Sequence, residues 1–227
     1  MSEYVENERM PSEAPEPWTK RPLDLLVIVG AHLVLLPIFA FFWVAVPIAI
    51  WLDDRGPVFF RQARVGRGGR IFSQLKFRTM SVDAEQTGPL WTGVKDPRVT
   101  RVGGVLRRTA LDELPQLVNI WRGDMSFVGP RALPIEMHKG YVAEEPDFVL
   151  RLAVRPGLTG PAAIDLPRHC SAAQRLEGDL YYVENMSLWL DLKLIFQSAW
   201  LTLTGRWGSG PRRATEPDDD PDAPSLR

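Results

Sequence analysis

The segment LDELPQLVNIWRGDMSFVGPR, residues 111–131, contains the residue types required for chemistry on a phosphate group. Two adjacent carboxylates, Asp112 and Glu113, lie near its start, and Arg131 closes it after Gly-Pro. A carboxylate can attack a phosphoryl group and form a covalent intermediate. Its negative charge opposes the approach to a diphosphate, so arginines and a divalent cation must neutralise the phosphate oxygens. The segment is therefore a candidate site for a phosphorylated substrate.

The same acids also fit a purely structural interpretation. Thr109-Ala-Leu-Asp112 matches a capping box, with Thr109 as the N-cap residue and Asp112 at the third helical position. Acids in a first helical turn also suit the helix dipole. This pattern predicts a helix that begins near Thr109, and Pro115 inside it would place the acids in an irregular turn. On these residues alone the structural interpretation is the stronger, so the rest of the chain must decide.

The ends of the chain differ from its middle in charge and composition. Residues 1–19 and residues 206–227 are acidic and contain several prolines, so we expect two disordered tails. The middle has 22 basic and 18 acidic residues, a net charge of +4. Without a basic helix, zinc finger or RNP-like strand, this excess predicts no nucleic-acid partner and suits anionic lipid or a phosphorylated substrate. The single cysteine, Cys170, excludes a disulfide framework and a cysteine zinc site, and we assign it a structural role.

Residues 23–52 form one long apolar segment between two basic flanks. A single straight helix of this length would run about 45 Å, well beyond the roughly 30 Å hydrocarbon core of a bilayer. Pro37 and Pro47 are expected to kink or break it. Because both flanks are basic, both ends favour the cytoplasmic side. The pattern predicts a re-entrant membrane helix over 20–54, with a single span or a buried soluble hairpin as less favoured alternatives.

We expect residues 55–205 to form a small cytosolic catalytic domain. For the chain as a whole we expect an α+β fold with a re-entrant helix hairpin. Residues 56–80 alternate as a β-hairpin with a glycine-rich turn, and Lys76 and Arg78 should project from the face opposite Phe77. An amphipathic helix over 187–204 is expected at the membrane interface rather than in the core. The other assignments are a loop over 81–103, a helix over 133–154 that breaks before Pro146, and a loop over 155–167.

Taken together, these segments resemble the bacterial sugar transferase family, the small monotopic phosphoglycosyl transferases that act on polyprenyl phosphate. The resemblance runs from about Arg21 to Leu203. Each matching piece alone is weak evidence for the family, but their combination in this order is specific to it. The matching pieces are Leu36-Pro37, GPVFFRQARVG, LKFRTM, LDELPQLVNIWRGDMSFVGPR, VRPGLTG and DLYYVENMSLWLDLK.

The resemblance implies a two-step reaction at the cytoplasmic face of the inner membrane. Asp112 matches the nucleophile, which attacks a nucleoside diphosphate sugar, usually UDP-linked, and releases the nucleoside monophosphate. Polyprenyl (undecaprenyl) phosphate then takes the phosphosugar from the enzyme. This is the first membrane step of exopolysaccharide, capsule, O-antigen or glycan biosynthesis. The expected partners are thus a nucleotide sugar, polyprenyl phosphate and the inner leaflet, and a homodimer is left open.

The resemblance also assigns roles to further residues. Glu113 matches the second acid of the pair and, with Asp112, is expected to bind Mg²⁺. Arg131 matches a phosphate-binding arginine, and the cations expected near it are Arg107, Lys76 and Arg78. Two more candidates lie in matching motifs, Arg155 in VRPGLTG and Asp179 at the start of DLYY.

Two features depart from the family pattern, and two other kinds of function remain as alternatives. Residues 160–167 differ from the usual loop, so the sugar donor cannot be assigned, and Leu36 replaces a common serine.

A membrane-anchored glycosyltransferase would transfer sugar without phosphate, but the chain lacks an Asp-x-Asp motif after a strand. A membrane scaffold would not need the two acids and the arginine together.

We predict that positions 15 and 60 lie on the same side of the membrane, because both flanks of the apolar segment are basic. Cysteines introduced at Pro15 and Phe60, in a chain with Cys170 replaced by serine, should react with an impermeant reagent from one side only. Pro37→Ala should favour a straight helix and increase opposite-side labelling. Opposite-side labelling of the chain with Pro37 intact would establish a single span.

Overall fold

The computed structural model describes residues 10–84, 96–166 and 170–204. Helices and short sheets alternate along the chain, which confirms the α+β class. The helices are α1 (Lys20–Val34), α2 (Leu36–Asp53), α3 (Arg101–Thr109), α4 (Gln116–Arg122), α5 (Ile135–Glu144), α6 (Pro161–Asp165), α7 (Ala172–Asn185) and α8 (Leu188–Thr204). The strands are β1 (Phe59–Val65), β2 (Ile71–Phe77), β3 (Ser126–Val128), β4 (Leu133–Pro134) and β5 (Gly157–Thr159), with 3₁₀ segments at Arg67–Gly69, Leu111–Glu113 and Pro146–Ala153.

The apolar segment folds as two helices, α1 and α2, that meet at Leu35. Pro37 lies at the start of α2, where its missing N–H removes a bond that a continuous helix would make to Leu33. Pro47 lies inside α2 without ending it. By length and composition α2 is a candidate membrane span, and most of its apolar side chains are exposed. The predicted break is confirmed, and its position is one residue before the Leu36-Pro37 pair.

The two outer ends of this broken segment pack on the same domain. At the start of α1, Lys20 is buried and donates to the Val128 carbonyl, the Tyr182 hydroxyl and the Asp191 carboxylate. Near the end of α2, Val46 and Ile50 pack with Phe77 and Leu106 in one buried cluster. Two hydrogen bonds add to this packing. The Ser126 hydroxyl donates to the Asp24 carboxylate on α1, and the Val102 amide donates to the Asp53 carboxylate on α2.

The predicted hairpin is confirmed as β1 and β2, and it supplies the scaffold for the acidic segment. Phe59 pairs with Phe77 and Val65 with Ile71, and β4 joins β1 on its other side in an antiparallel sheet of order β2-β1-β4. Asn119 on α4 accepts from the Leu75 amide and donates to the Ser73 carbonyl. These bonds fix α4, and with it the turn that precedes it, against β2.

The predicted capping box at Thr109 is wrong. Thr109 ends α3, and its hydroxyl donates to carbonyls of its own helix. The N-cap of α3 is Thr100, whose side chain accepts from the Gly103 amide, so the helix begins within the predicted loop 81–103. Ala110 then adopts a left-handed conformation with φ 56°, and Leu111–Glu113 forms a short 3₁₀ turn before Pro115, the N-cap residue of α4. The acids therefore lie between two helices, in the irregular turn that Pro115 indicated.

A short parallel pair, β3 and β5, holds the Gly-Pro-Arg loop in place. Ser126 pairs with Gly157 and Val128 with Thr159. The two backbones approach so closely that a Cβ at Gly157 would overlap the backbone of Gly129. The predicted loop over 155–167 thus contains β5 and the short helix α6. Within the helix predicted over 133–154, Ile135–Glu144 and Pro146–Ala153 are helical with the predicted break before Pro146, whereas Leu133–Pro134 forms β4.

The first tail is shorter than predicted. Residues 10–18, expected to be disordered, contact the domain without regular secondary structure, and the Ala14 amide donates to the Ala153 carbonyl at 2.9 Å. Glu16 accepts from the backbone amide of Arg155 at 3.0 Å. Ion pairs between acidic side chains and arginines of the folded domain can order a segment whose composition alone predicts disorder. Residues 1–9 and 206–227 of the predicted tails lie outside the described residues.

We predict that Ala110→Gly stabilises the protein. Ala110 is the only non-glycine residue with positive φ in the part of the chain that the structure describes, and a left-handed alanine costs about 1 kcal/mol or more. Glycine should raise the free energy of unfolding by roughly 1 kcal/mol in a denaturant titration. Ala143→Gly, inside α5, should instead lower it by a similar amount. A loss of stability in Ala110→Gly would contradict the assigned conformation.

Candidate active site

The two acids of the 3₁₀ turn face a lysine from the neighbouring strand. Lys76 on β2 lies 2.8 Å from a carboxylate oxygen of Glu113 and 3.9 Å from one of Asp112. Asp112 and Glu113 are largely buried, with 14% and 20% of their side chains exposed. Two adjacent carboxylates can be held at such depth only if cations compensate their charge. Lys76 is the first of these cations.

Arg131 is the second cation. It follows Gly129-Pro130 at the end of the β3 loop, and its guanidinium donates to the same Glu113 oxygen at 2.9 Å. The backbone of Arg131 is fixed in turn, because Arg151 donates to its carbonyl at 2.8 Å. The Arg131 side chain remains 42% exposed. It can therefore hold Glu113 and still reach an anionic substrate.

The electrostatics give the two acids different properties. For Asp112, burial raises the pKa above the usual value, and the nearby charges of Lys76, Arg107 and Arg131 only partly offset it. For Glu113, burial acts in the same direction, but Lys76 and Arg131 together hold its pKa well below the usual range. Glu113 in turn raises the pKa of Arg131. The site thus contains a firmly ionised Glu113 with two close ion pairs beside an Asp112 whose nearest cation, Lys76, is 3.9 Å away.

Arg107 completes the set of cations around the acids. It lies on the last turn of α3, where its Nε donates to the Thr79 hydroxyl at 2.9 Å. Its charge lowers the pKa of Asp112. Of the predicted site residues, the structure therefore brings Asp112, Glu113, Lys76, Arg107 and Arg131 together.

Three other predicted residues do not reach the acids. Arg78 lies beyond the end of β2 and turns towards the carbonyl and carboxylate of Asp54, so it does not share an anion site with Lys76. Arg155 pairs with Glu16 of the N-terminal segment, residues 10–18. Asp179 is buried and accepts a hydrogen bond from Arg151 at 2.7 Å. Because Arg151 also donates to the Arg131 carbonyl, Asp179 supports the position of Arg131 indirectly.

Arg64 is a residue of this site that the sequence did not single out. It donates to the carbonyl of Ala132, next to Arg131, and to the side chain of Gln62. Burial, with Arg131 close by, lowers its pKa. Its position in FRQARVG gave a partial signal, because Gln62 and Arg64 alternate on one face of β1. That this face meets the loop carrying Arg131 could not be inferred from the strand alone.

The acids are also the candidate ligands for a divalent cation. Among the described residues, no group of three or more His, Cys, Asp or Glu side chains could hold a metal by itself. Mg²⁺, however, is commonly held by one or two carboxylates together with substrate phosphates and water. The buried Asp112 carboxylate, whose nearest cation is 3.9 Å away, fits a Mg²⁺ ligand of this kind.

We predict that Arg131→Lys lowers turnover 10- to 1000-fold, about 1.4 to 4 kcal/mol of transition-state stabilisation, because a lysine cannot reproduce the planar fork of donors. Steady-state kinetics of the folded variant would test this. Arg101→Lys, an exposed change on α3, should retain turnover. Near-normal turnover of Arg131→Lys would remove Arg131 from the site.

We predict that Lys76→Met moves the acid limb of the pH–rate profile to higher pH. Lys76 lowers the pKa of both acids, so its loss raises the pH at which the acids take up protons. Because the proposed nucleophile acts as the carboxylate, residual activity should fall at a higher pH in the variant than in the wild type. Lys139→Met, which changes a half-exposed lysine on α5, should leave the limb in place, and an unmoved limb in Lys76→Met would contradict this account of Asp112.

Comparison with known proteins places the chain in a family. Residues 16–205 match the family described as bacterial sugar transferase. Similar proteins include a UDP-N-acetylgalactosamine-undecaprenyl-phosphate N-acetylgalactosaminephosphotransferase from Aeromonas hydrophila, 38% identical over 89% of this chain and 48% of that protein. An exopolysaccharide production protein, PSS, from Rhizobium leguminosarum bv. phaseoli is 41% identical over 82% of this chain and 95% of its own length.

A third relative, a UDP-glucose:undecaprenyl-phosphate glucose-1-phosphate transferase from Caulobacter vibrioides, is 40% identical over 82% of this chain and 70% of its own length. The chain thus spans about half of one of these relatives and most of the other two. All three alignments cover at least four-fifths of this chain, and the family match includes the two acids, Lys76, Arg107 and Arg131. The chain belongs to the bacterial sugar transferase family.

Proposed function

We propose that this protein transfers a sugar-1-phosphate from a UDP-sugar to undecaprenyl phosphate, with release of UMP. The observation that supports it most is the arrangement of Asp112 and Glu113 among Lys76, Arg107 and Arg131. Relatives at 38–40% identity are named for this kind of transfer, with glucose or N-acetylgalactosamine as the sugar. One further relative is named for exopolysaccharide production, which suggests a place at the start of polymer assembly.

The transfer proceeds in two displacements at the β-phosphorus of the donor, in which Asp112 is first the attacking group and then the leaving group. The Asp112 carboxylate attacks the β-phosphorus of the donor, so an Asp–phosphorus bond forms while the phosphorus–oxygen bond to UMP breaks. A phosphate oxygen of undecaprenyl phosphate then attacks the same phosphorus and displaces Asp112, which leaves as a free carboxylate. Neither leaving group requires a proton from the enzyme at neutral pH.

The other residues of the site position and neutralise the phosphates. Arg131 presents a half-exposed guanidinium towards the donor, and Arg107 adds a second cation beside Asp112. Lys76 and Arg131 hold Glu113 in its ionised form, which fixes the orientation of the turn. A Mg²⁺ bound by Asp112 and Glu113 would supply charge neutralisation for the diphosphate. Burial of Asp112 raises its free energy as an anion, and this favours its attack on an electrophile.

We propose that α1 and α2 form a re-entrant hairpin in the cytoplasmic leaflet of the inner membrane. Both outer ends pack on one domain, which suits entry and exit on the same side. Exposed apolar side chains cover α2, and α8 exposes Trp189, Phe196, Trp200 and Leu203. Because Lys20 joins α1 to Asp191 of α8, the apolar surface of α8 can rest on the interface beside the hairpin.

Product analysis tests the proposed function most directly. The full chain in detergent is incubated with Mg²⁺, undecaprenyl phosphate and one UDP-sugar at a time, and nucleotide products are separated. Release of UMP dependent on a particular donor supports phosphosugar transfer. Release of UDP would indicate transfer of sugar without phosphate, and no release with any donor would favour a non-enzymatic membrane scaffold.

We predict that Asp112→Asn abolishes UMP release while the protein stays folded, because an amide cannot form the phosphosugar adduct. Glu113→Gln should slow the metal-dependent reaction without removing the nucleophile. The matched control is Asp147→Asn, which changes an exposed aspartate outside the site. Robust UMP release by Asp112→Asn would instead leave direct transfer between two bound substrates.

A further inference from the structure

A second cationic site lies at the turn of the β1–β2 hairpin, away from the acids. A cleft of about 480 Å³ is lined there by five arginines, which we call the arginine cleft: Arg21, Arg67, Arg70, Arg122 and Arg155. Phe72 on β2 lines this cleft, whereas Lys76 on the same strand faces the acids. Four residues of strand separate them, about 13 Å. None of the two acids and their three cations lines the arginine cleft, which is therefore a separate group of side chains.

Carboxylates of the chain itself occupy part of the arginine cleft. In the N-terminal segment, Glu13 lies 3.4 Å from Arg67 and 3.3 Å from Arg70, and Glu16 lies 3.0 Å from Arg155. Asp124 also lines the cleft, so three carboxylates are set against five guanidiniums. The cleft thus retains an excess of positive charge.

Glu13 is a loosely held anion in this position. Its side chain is 40% exposed, and both of its ion pairs exceed 3.2 Å. Glu16, by contrast, is buried and fixed by the backbone amide of Arg155. Burial without a hydrogen-bond partner is costly, yet Nη1 of Arg155 is buried and makes no hydrogen bond. The segment therefore leaves donor capacity in the cleft that an anion with more oxygens could use.

We propose that the arginine cleft binds a phosphate-bearing anion and that Glu13 competes with it for the same guanidiniums. A phosphate offers several acceptor oxygens at higher charge than one carboxylate, and arginine forks match its geometry. Two sources are compatible with the position. One is a soluble phosphate compound, and the other is the headgroup of an anionic lipid, because Trp18 and α1 follow the segment directly. Binding at the cleft does not depend on the proposed transfer.

Calorimetric titration of the full chain in detergent tests this site. The probes are pyrophosphate without Mg²⁺ and short-chain dihexanoylphosphatidylglycerol, with dihexanoylphosphatidylcholine as the zwitterionic control. Pyrophosphate binding would identify a soluble phosphate ligand, and binding of the phosphatidylglycerol alone would identify a lipid headgroup. Both outcomes support the site if they depend on the cleft arginines.

Three variants establish that dependence. Arg70→Gln combined with Arg122→Gln changes exposed side chains and should weaken binding of the anion roughly tenfold or more. Glu13→Gln removes the competing charge and should tighten binding roughly three- to tenfold. Lys139→Gln, which changes a half-exposed lysine on α5, should bind as the wild type does. Equal affinity in the double arginine variant, or no tightening in Glu13→Gln, would overturn the proposal.

Discussion

Two adjacent carboxylates held largely away from water set the main constraint on this structure. Asp112 and Glu113 would be strongly destabilising at that depth without the cations around them. Each cation comes from a different part of the chain: Lys76 from the hairpin, Arg107 from α3 and Arg131 from the loop after β3. The surrounding fold therefore has to fix three separate elements against one short turn. That requirement explains the left-handed Ala110, the bonds from Asn119 to β2 and the close approach of Gly129 to Gly157.

The asymmetry between the acids follows from the same arrangement. Glu113 takes both close ion pairs and so acts as the fixed member, while Asp112 remains buried with its nearest cation at 3.9 Å. A carboxylate in this state is less solvated than one in water and less neutralised than its neighbour. These are the properties that the proposed transfer requires of a nucleophile. The apolar segment is coupled to the site as well, because Lys20 at the start of α1 donates to the carbonyl of Val128, three residues before Arg131.

The sequence was most informative where local patterns and tertiary structure agree. Alternation identified the β1–β2 hairpin, Pro37 marked the break between α1 and α2, and the motif order identified the family. It failed at Thr109, because a capping box and the end of a helix can contain the same residues, and only the neighbouring turn distinguishes them. Arg78 was misplaced because it lies just past β2, where the alternation of a strand no longer applies. The packing of residues 10–18 and the role of Arg64 depend on partners more than 50 residues away, which no local pattern reveals.

The central claim is that Asp112 forms a covalent bond to the phosphosugar. The most direct measurement is the intact mass of the protein after incubation with Mg²⁺ and a UDP-sugar that supports turnover, in the absence of undecaprenyl phosphate. The account predicts an added sugar-phosphate mass in the wild type, its loss when undecaprenyl phosphate is added, and its absence from Asp112→Asn. An unmodified wild-type mass with every donor that supports turnover, or an equal adduct on Asp112→Asn, would contradict it.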